Sequence, residues 1–386
     1  MKNNKGITLV ALVVTIVVLL ILAGVSINLV LGNNGIIAKA KEAETKSAEA
    51  SQNDLKGMNG LVSEMEGALA GNGSTGSGSG NGNTGSGNNF VTKNTEVTYP
   101  DGKVWIPEGF KVAEDSASTV QGGVVIEDKD RNQFVWVPVA TLADYKRTAY
   151  STNVATEETD TATNSIKINY SSSKNSEYFT EALPEDEKTS VERYKGFYIG
   201  RYEAGDKENT EAKTLRSSND VTKTVTIKAN QAPYNNVTKT QAISLAEGFA
   251  TKQGYKAKTK LVSSYAWDTT IAFMQKVNSD YGSSSEEGNY KDTTFSYTDI
   301  TGARQTKAKN SNVLVPTGQT TPVCNIYDMG GNVFEWTTES CSNTDYPYAR
   351  RGGFYYYIFA NIPAGFRDDG SDDADDGDGF RLTLFM

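Results

Sequence analysis

Histidine is absent from all 386 residues. Without an imidazole there is no Ser-His-Asp or Cys-His nucleophile pair and no three-His iron site, so most hydrolase and metalloenzyme chemistries fall away. Cysteine is nearly absent too. Cys324 and Cys341 are too few for a disulfide scaffold or a Cys-only zinc site, and they leave open either one structural bridge or two buried thiols. Positive charge is in deficit, with 38 Lys and Arg against 47 Asp and Glu and a net charge of −9. Phosphate-backbone binders concentrate basic residues to displace counterions, so this balance argues against a nucleic-acid partner. Proline is scarce at 9, whereas 36 Gly and 20 Tyr suggest a loop-rich domain with amphipathic aromatic surfaces. Hydrophobic residues at 37% are enough to bury a core.

The amino-terminal run from Ile7 to Leu31 carries no charged residue and follows Lys2 and Lys5. As a helix it would reach roughly 37 Å, enough to cross a bilayer with some tilt. The leading lysines should stay cytoplasmic, which places the chain beyond Leu31 outside. A cleaved signal peptide and a plain membrane anchor are the alternatives, and no small-x-small site clearly closes the run. Gly32-Asn33-Asn34-Gly35 should break the helix, and residues 32–70 read as a polar helical stalk with a stripe of Leu55, Met58, Val62, Met65 and Leu69. Residues 71–89 contain only Gly, Ser, Asn and Thr. That composition buries nothing and spans on the order of 25 Å as a flexible coil, so a domain boundary falls there and 90–386 form the distal domain.

In the distal domain Val104-Trp105-Ile106, Phe134 to Pro138 and Phe197 to Tyr202 read as strands, while Trp267, Ile271 and Met274 lie at helical spacing and should be core. The expected class is α+β. Two polar stretches, about 150–190 and 281–312, look like surface insertions.

Lys5-Gly6-Ile7-Thr8-Leu9-Val10 resembles the processing segment of type IV prepilins. The resemblance implies a leader of residues 1–6 cut after Gly6, with Ile7 as the mature first residue and pilin-like partners for the 7–31 helix. Ala11 stands where that family usually carries a Glu, which points to a minor subunit or membrane-held pseudopilin rather than a major pilin.

Tyr327-Asp328-Met329-Gly330-Gly331-Asn332-Val333-Phe334-Glu335-Trp336 resembles the Gly-Asn-Val-Trp-Glu-Trp segment of the formylglycine-generating-enzyme and sulfatase-modifying-factor family. Arg350-Arg351-Gly352-Gly353 and Gly379-Phe380-Arg381-Leu382 resemble its Arg-Gly-Gly strand and closing Gly-Phe-Arg segment, with Arg367 between them. Phe197 to Glu203 and Leu261 to Asp268 are similar to its upstream segments. The resemblance implies a C-type-lectin-like fold for 90–386. The activity does not carry over, because that family's cysteine pair is missing: no Cys follows Cys341. A non-catalytic domain is expected, with no required cofactor. The resemblance also implies a structural Ca²⁺ held by Asn332, Val333 and Glu335, against the reading that the motif only packs Trp336.

Between these landmarks, Phe354 to Asp378 uses almost only Phe, Tyr, Ile, Ala, Asn, Pro, Gly, Arg, Asp and Ser. Each can be reached from an Asn codon by changing its two adenines. That footprint at the end of a lectin-like domain resembles the variable proteins of diversity-generating retroelements, and a chance low-complexity loop is the alternative. The implied variable region is about 354–378. Its expected ligand contacts are Tyr355, Tyr356, Tyr357, Phe359, Asn361, Asp368, Asp369, Ser371, Asp372, Asp373, Asp375, Asp376 and Asp378. Tyr supplies rigid amphipathic area while Asp, Ser and Asn supply adaptable hydrogen bonds. Seven of the eleven residues from 368 to 378 are Asp, which favours a protein or surface ligand with a basic patch and should splay the free loop by repulsion. The expectation is a ligand-binding protein displayed at a bacterial cell surface, membrane-anchored or in a pilus-like filament. A structural pilin-like subunit and a residual enzyme are the competing classes.

Exported protein should begin at Ile7, which amino-terminal mass spectrometry reads directly. An intact Met1 to Gly6 leader would leave a simple anchor.

Overall fold

In the computed structural model, residues 89–386 are described apart from 173, 209–215, 217, 284–286 and 360. The chain divides into units Met1–Asn81 and Gly82–Met386. The expected processing site at Gly6 and Ile7, the 7–31 segment, the expected 32–70 stalk and residues 71–88 of the expected linker lie outside the described residues. Among the described residues no helix is long and apolar enough to cross a membrane.

The centre of the second unit is a six-stranded antiparallel sheet. Its order is Lys258–Leu261, Leu382–Phe385, Gly196–Gly200, Gln133–Pro138, Val125–Glu127 and Lys111–Val112. Side chains alternate along a strand, so Gln133–Pro138 feeds two cores: Phe134 and Trp136 enter one, Val135 and Val137 the other. Three helices pack around this frame. Helix α1 (Glu185–Tyr194) ends at Lys195, whose left-handed φ of 61° turns the chain directly into Gly196–Gly200. Helix α2 (Lys239–Gln253) starts in a capping box of Thr238 and Gln241 and stops at Gly254. It gives Ala242, Leu245, Ala246 and Phe249 to the core of Phe134 and Trp136. Helix α3 (Ser264–Met274), capped by Ser263, gives Trp267, Ile271 and Met274 to the other core. These three are fully buried, as their spacing predicts.

A second sheet carries the Phe334 to Trp336 motif. Its order is Arg367–Gly370, Tyr348–Arg351, Phe334–Cys341, Glu177–Thr180, Ser165–Tyr170 and Ala155–Asp160, with Asp378–Phe380 parallel to Phe334–Cys341. The polar stretch 150–190 is therefore not an insertion. Ile166, Ile168 and Phe179 alternate onto a third core beside Phe334, and Phe179 pairs with Cys341, so period-two apolar positions hidden among Ser and Thr build half of this sheet. Among the described residues of the 281–312 stretch only Phe295–Thr298 with Arg304–Lys307 forms a surface hairpin, because Tyr281 and Tyr290 are buried in two of the cores. Strands outnumber helices, and β structure dominates the expected α+β mixture.

Between the second sheet and α3 lies a network of buried ions. Arg351 Nη2 reaches Asp268 at 2.6 Å, Arg367 Nη1 reaches Glu157 at 2.6 Å and its Nε reaches Glu339 at 3.1 Å. Arg367 also pairs with Asp268, and Arg147 with Glu339. All six side chains are buried. Burial alone would raise Glu339, but Arg367, Arg147 and Arg351 hold it down to about 2. Elsewhere burial wins. Glu181, with hydroxyl donors from Ser264 and Thr338, is pushed up to about 7, and Glu203, buried near Asp328 and Glu335, is raised well above the carboxylate range.

Two predictions follow from these charges. Replacing Arg367 with Leu leaves Glu157 without a guanidinium and Asp268 with only that of Arg351, and should cost about 3–5 kcal/mol, seen as a large drop in Tm or as loss of folding. For pH, the folded state keeps protons on Glu181 and Glu203 that the unfolded chain releases near its ordinary carboxylate pKa of about 4.5. Stability from these groups is therefore present at low pH and lost as pH rises through 7 and beyond. Glu339 acts in the opposite sense, its stability being lost as pH falls from about 4.5 towards 2. Thermal unfolding should show a maximum near pH 5, and Glu203→Gln should raise Tm at pH 8 and flatten the alkaline side.

Candidate functional site

The segment 352–366 leaves one strand at Arg351 and enters the next at Arg367, and these two arginines are cross-strand partners. Both ends of the loop are thus anchored to the buried ion network. Arg351 also donates to the carbonyls of Phe366 at 3.1 Å and Gly365 at 2.8 Å, and Trp267 Nε1 donates to that of Ala364 at 2.9 Å. At the start of the loop, Gly353 has φ 69°, and a Cβ there would lie 2.2 Å from the Ile362 carbonyl oxygen. Only glycine lets the two arms approach so closely.

Beyond the clamp the loop opens to solvent. Tyr356 is 52% exposed and Tyr357 50%, with Ile358 beside them, while Phe359 and Asn361 are half-buried. Main-chain bonds hold the turn: Tyr355 N donates to Asn332 O at 3.1 Å, and Lys291 N to Tyr357 O at 2.8 Å. Lys291 also places its ammonium 5.6 Å from the Tyr356 ring centroid. Tyr355 departs from the expected set of solvent-facing contacts. It is buried against Leu314 and Val333 and belongs to the scaffold.

The acidic tail departs further. Asp378 is buried and accepts from Arg350 Nη1 through both oxygens at 2.8 and 2.9 Å, and Asp368 pairs with the same guanidinium at 2.8 Å. Asp369 pairs with Lys174 at 2.8 Å and accepts from Asn343 at 2.9 Å. Asp372 accepts from the backbone N of Thr240 at 3.0 Å and its hydroxyl at 2.7 Å, in the first turn of α2. The predicted splaying by self-repulsion is therefore overturned, because Lys174, Arg350 and α2 supply the compensation from distant parts of the chain. Ser371 is half-buried and donates to Asp373 at 2.6 Å. Asp372, Asp373, Asp375 and Asp376 remain exposed.

Loop and tail meet at a pocket of about 290 Å³. Phe334, Phe354, Tyr357, Ile362 and Phe366 form its apolar lining, and Asp368, Asp375 and Asp378 its acidic side with Arg350 among them. The Arg350 guanidinium sits 4.5 Å from the Phe334 ring centroid. Burial pushes Asp378 up to about 7 even with Arg350 against it. Neither Arg350 nor Phe354 was an expected contact, since Arg350 read only as a scaffold landmark and no local pattern joins it to Asp378.

The implied calcium ligands are engaged otherwise. Asn332 Oδ1 accepts from Asn289 Nδ2 at 2.8 Å and Val315 N at 3.1 Å, and its Nδ2 donates to Glu203. Glu335 takes Arg381 Nη2 at 2.6 Å and Nε at 2.9 Å. With a guanidinium on the carboxylate and both amide ends bonded, this arrangement does not fit a calcium cage. Among the described residues no group of three or more Cys, Asp or Glu is placed to hold a metal ion. Cys324 and Cys341 are free and buried in different cores, so the disulfide alternative is corrected to two thiols. Burial pushes them up to about 11 and about 12, which leaves neither a ready nucleophile.

No family model matches the chain, and no curated protein does. Among solved structures, CarF is 13% identical over 65% of this chain and 98% of its own, with a TM-score of 0.36. PvdO from Pseudomonas aeruginosa is 14% identical over 68% and 98%, also at 0.36. Treponema denticola variable protein 1 is 13% identical over 66% and 96%, at 0.29.

Proposed function

We propose that the chain is a non-catalytic ligand-binding protein whose binding face is the Tyr356–Ile358 loop together with the exposed Asp372–Asp376 tail, carried on a C-type-lectin-like domain. One observation carries the reading: Tyr356, Tyr357 and Ile358 stand exposed side by side on a loop whose two ends are clamped by fully buried arginines. A folded chain that fixes the base of a loop and leaves large aromatics in water at its tip has the layout of an interaction surface. The codon footprint of 354–378 supports diversification by a retroelement, and the uncharged run Ile7 to Leu31 supports display at a bacterial cell surface, in a membrane or a pilus-like filament. Neither thiol nor any imidazole offers a nucleophile, which supports the absence of catalysis.

The ligand contacts proposed are Tyr356, Tyr357, Phe359, Asn361, Ser371, Asp372, Asp373, Asp375 and Asp376. Against a partner isolated by cross-linking at the cell surface, Tyr356→Ala should weaken binding by about 2 kcal/mol, roughly thirtyfold, with Tm unchanged. Loss of folding with binding per folded molecule intact would make these tyrosines core. At the gene, a neighbouring reverse transcriptase and a near-copy of the tail codons should be present, and their absence would remove diversification while leaving the binding face.

A further inference from the structure

The pocket between loop and tail combines three features that select one kind of occupant. Its apolar lining is largely aromatic: Phe354 packs against Phe334 with ring centroids 4.9 Å apart and against Tyr357 at 5.0 Å. Such faces attract cations through the ring quadrupole. Its polar side holds three carboxylates and one guanidinium, so the lining is short of positive charge. Arg350 already shows the preferred chemistry. Its guanidinium lies over Phe334 while bonding Asp368 and Asp378, a cation held between an aromatic face and carboxylates.

Arg350 leaves one acid over. Asp375 is exposed at the lip, and its Oδ1 accepts from the Gly377 backbone N at 2.8 Å. Asp376 lies next to it and is raised by burial, by a hydrogen bond with Asp375 and by the Asp375 charge, so the lip is an acidic pair in which Asp375 carries the negative charge. A planar guanidinium from a partner would want two carboxylate oxygens side by side, and Arg350 has taken those of Asp378. A compact ammonium needs only a point charge, and its four-carbon stem can lie along Phe354, Tyr357 and Ile362.

We propose that this pocket is an anchor slot for a lysine side chain of a protein partner, its ammonium at Asp375 and its stem against Phe354 and Tyr357. The slot deepens the ligand-binding reading and rests on it. It gives the partner's basic patch a defined point of entry, with Tyr356 and Ile358 packing on the surface around the inserted side chain. Selectivity comes from two sides, since a neutral side chain of the same length leaves the acidic lip unpaired and an acidic one is repelled.

The test uses the full chain in detergent micelles with N-acetyl-lysine methylamide as the probe, read by saturation-transfer NMR. The lysine probe should bind, and the norleucine analogue, which keeps the stem and lacks the ammonium, should bind at least tenfold more weakly. Asp375→Asn keeps an acceptor for Gly377 N, so the fold is retained, and it should weaken the lysine probe at least tenfold with Tm unchanged. Asp375→Lys should abolish binding. Equal binding of lysine and norleucine probes, or an unchanged affinity in Asp375→Asn, would overturn the slot. The wider reading fails separately. If Tyr356→Ala still weakens partner capture while the lysine probe does not bind, the slot is wrong and the face stands. If Tyr356→Ala and Asp375→Asn both leave partner capture unchanged, the face itself is wrong and the slot falls with it.

Discussion

The buried contact between Arg367 and its three carboxylates, Glu157, Asp268 and Glu339, is the constraint on which the rest of the domain depends. Each acid comes from a different element: Ala155–Asp160, α3 and Phe334–Cys341. One guanidinium therefore ties a polar-looking edge strand, a core helix and the motif strand to the end of the exposed loop. Desolvating such ions is expensive, and they are tolerable because every carboxylate meets at least one guanidinium, with Arg351 and Arg147 sharing the same acids. Hydrophobic packing could have closed this space as well. An ion network is directional, however, and it allows one arrangement of the loop ends where apolar packing would allow several.

Much of the frame was legible in the sequence. Continuous apolar runs such as Gln133–Pro138 name strands buried on both faces, and the 3.6-residue spacing of Trp267, Ile271 and Met274 names a core helix. What was not legible has a common physical cause. The 150–190 stretch looked like solvated insertion because Ser, Thr, Asn and acids dominate it, yet Ile166, Ile168 and Phe179 suffice to bury one face, and Glu157 is buried because Arg367 meets it from 210 residues away. Composition reports solvation on average, whereas a strand needs only every second residue.

The acidic tail was misread for the same reason. Counted locally, seven aspartates without a base should repel one another. In the folded chain Lys174, Arg350 and the first turn of α2 reach them, so Asp368, Asp369 and Asp378 are structural, Asp372 stays exposed while bonded to Thr240, and only part of the run is open to a ligand. Tyr355 was misplaced through its neighbours. The three tyrosines lie on a turn rather than a strand, and the first packs inward onto Leu314 and Val333 while the next two stand in solvent.

The ties that shape the exposed segments come largely from outside them and grasp main-chain atoms. Lys291 N holds the Tyr357 carbonyl, Asn236 N holds that of Asp375, Asn235 Nδ2 holds that of Asp376, and Arg351 holds those of Gly365 and Phe366. Every residue type supplies a carbonyl. A loop held in this manner keeps its course whatever side chains it carries, provided the few that point inward are kept. Tyr355 fills the small core at Leu314, Asp378 neutralises Arg350, and Gly353 admits the Ile362 carbonyl. The fold thus separates the two demands on such a face: backbone bonds and three or four inward side chains set the shape, and the outward side chains of Tyr356 and Tyr357 are released from structural duty, while Asp373 and Asp375 are exposed with one local bond each. Stability resides in buried arginines that the loop does not contain, so substitutions at its outward positions should change what is recognised far more than whether the chain folds.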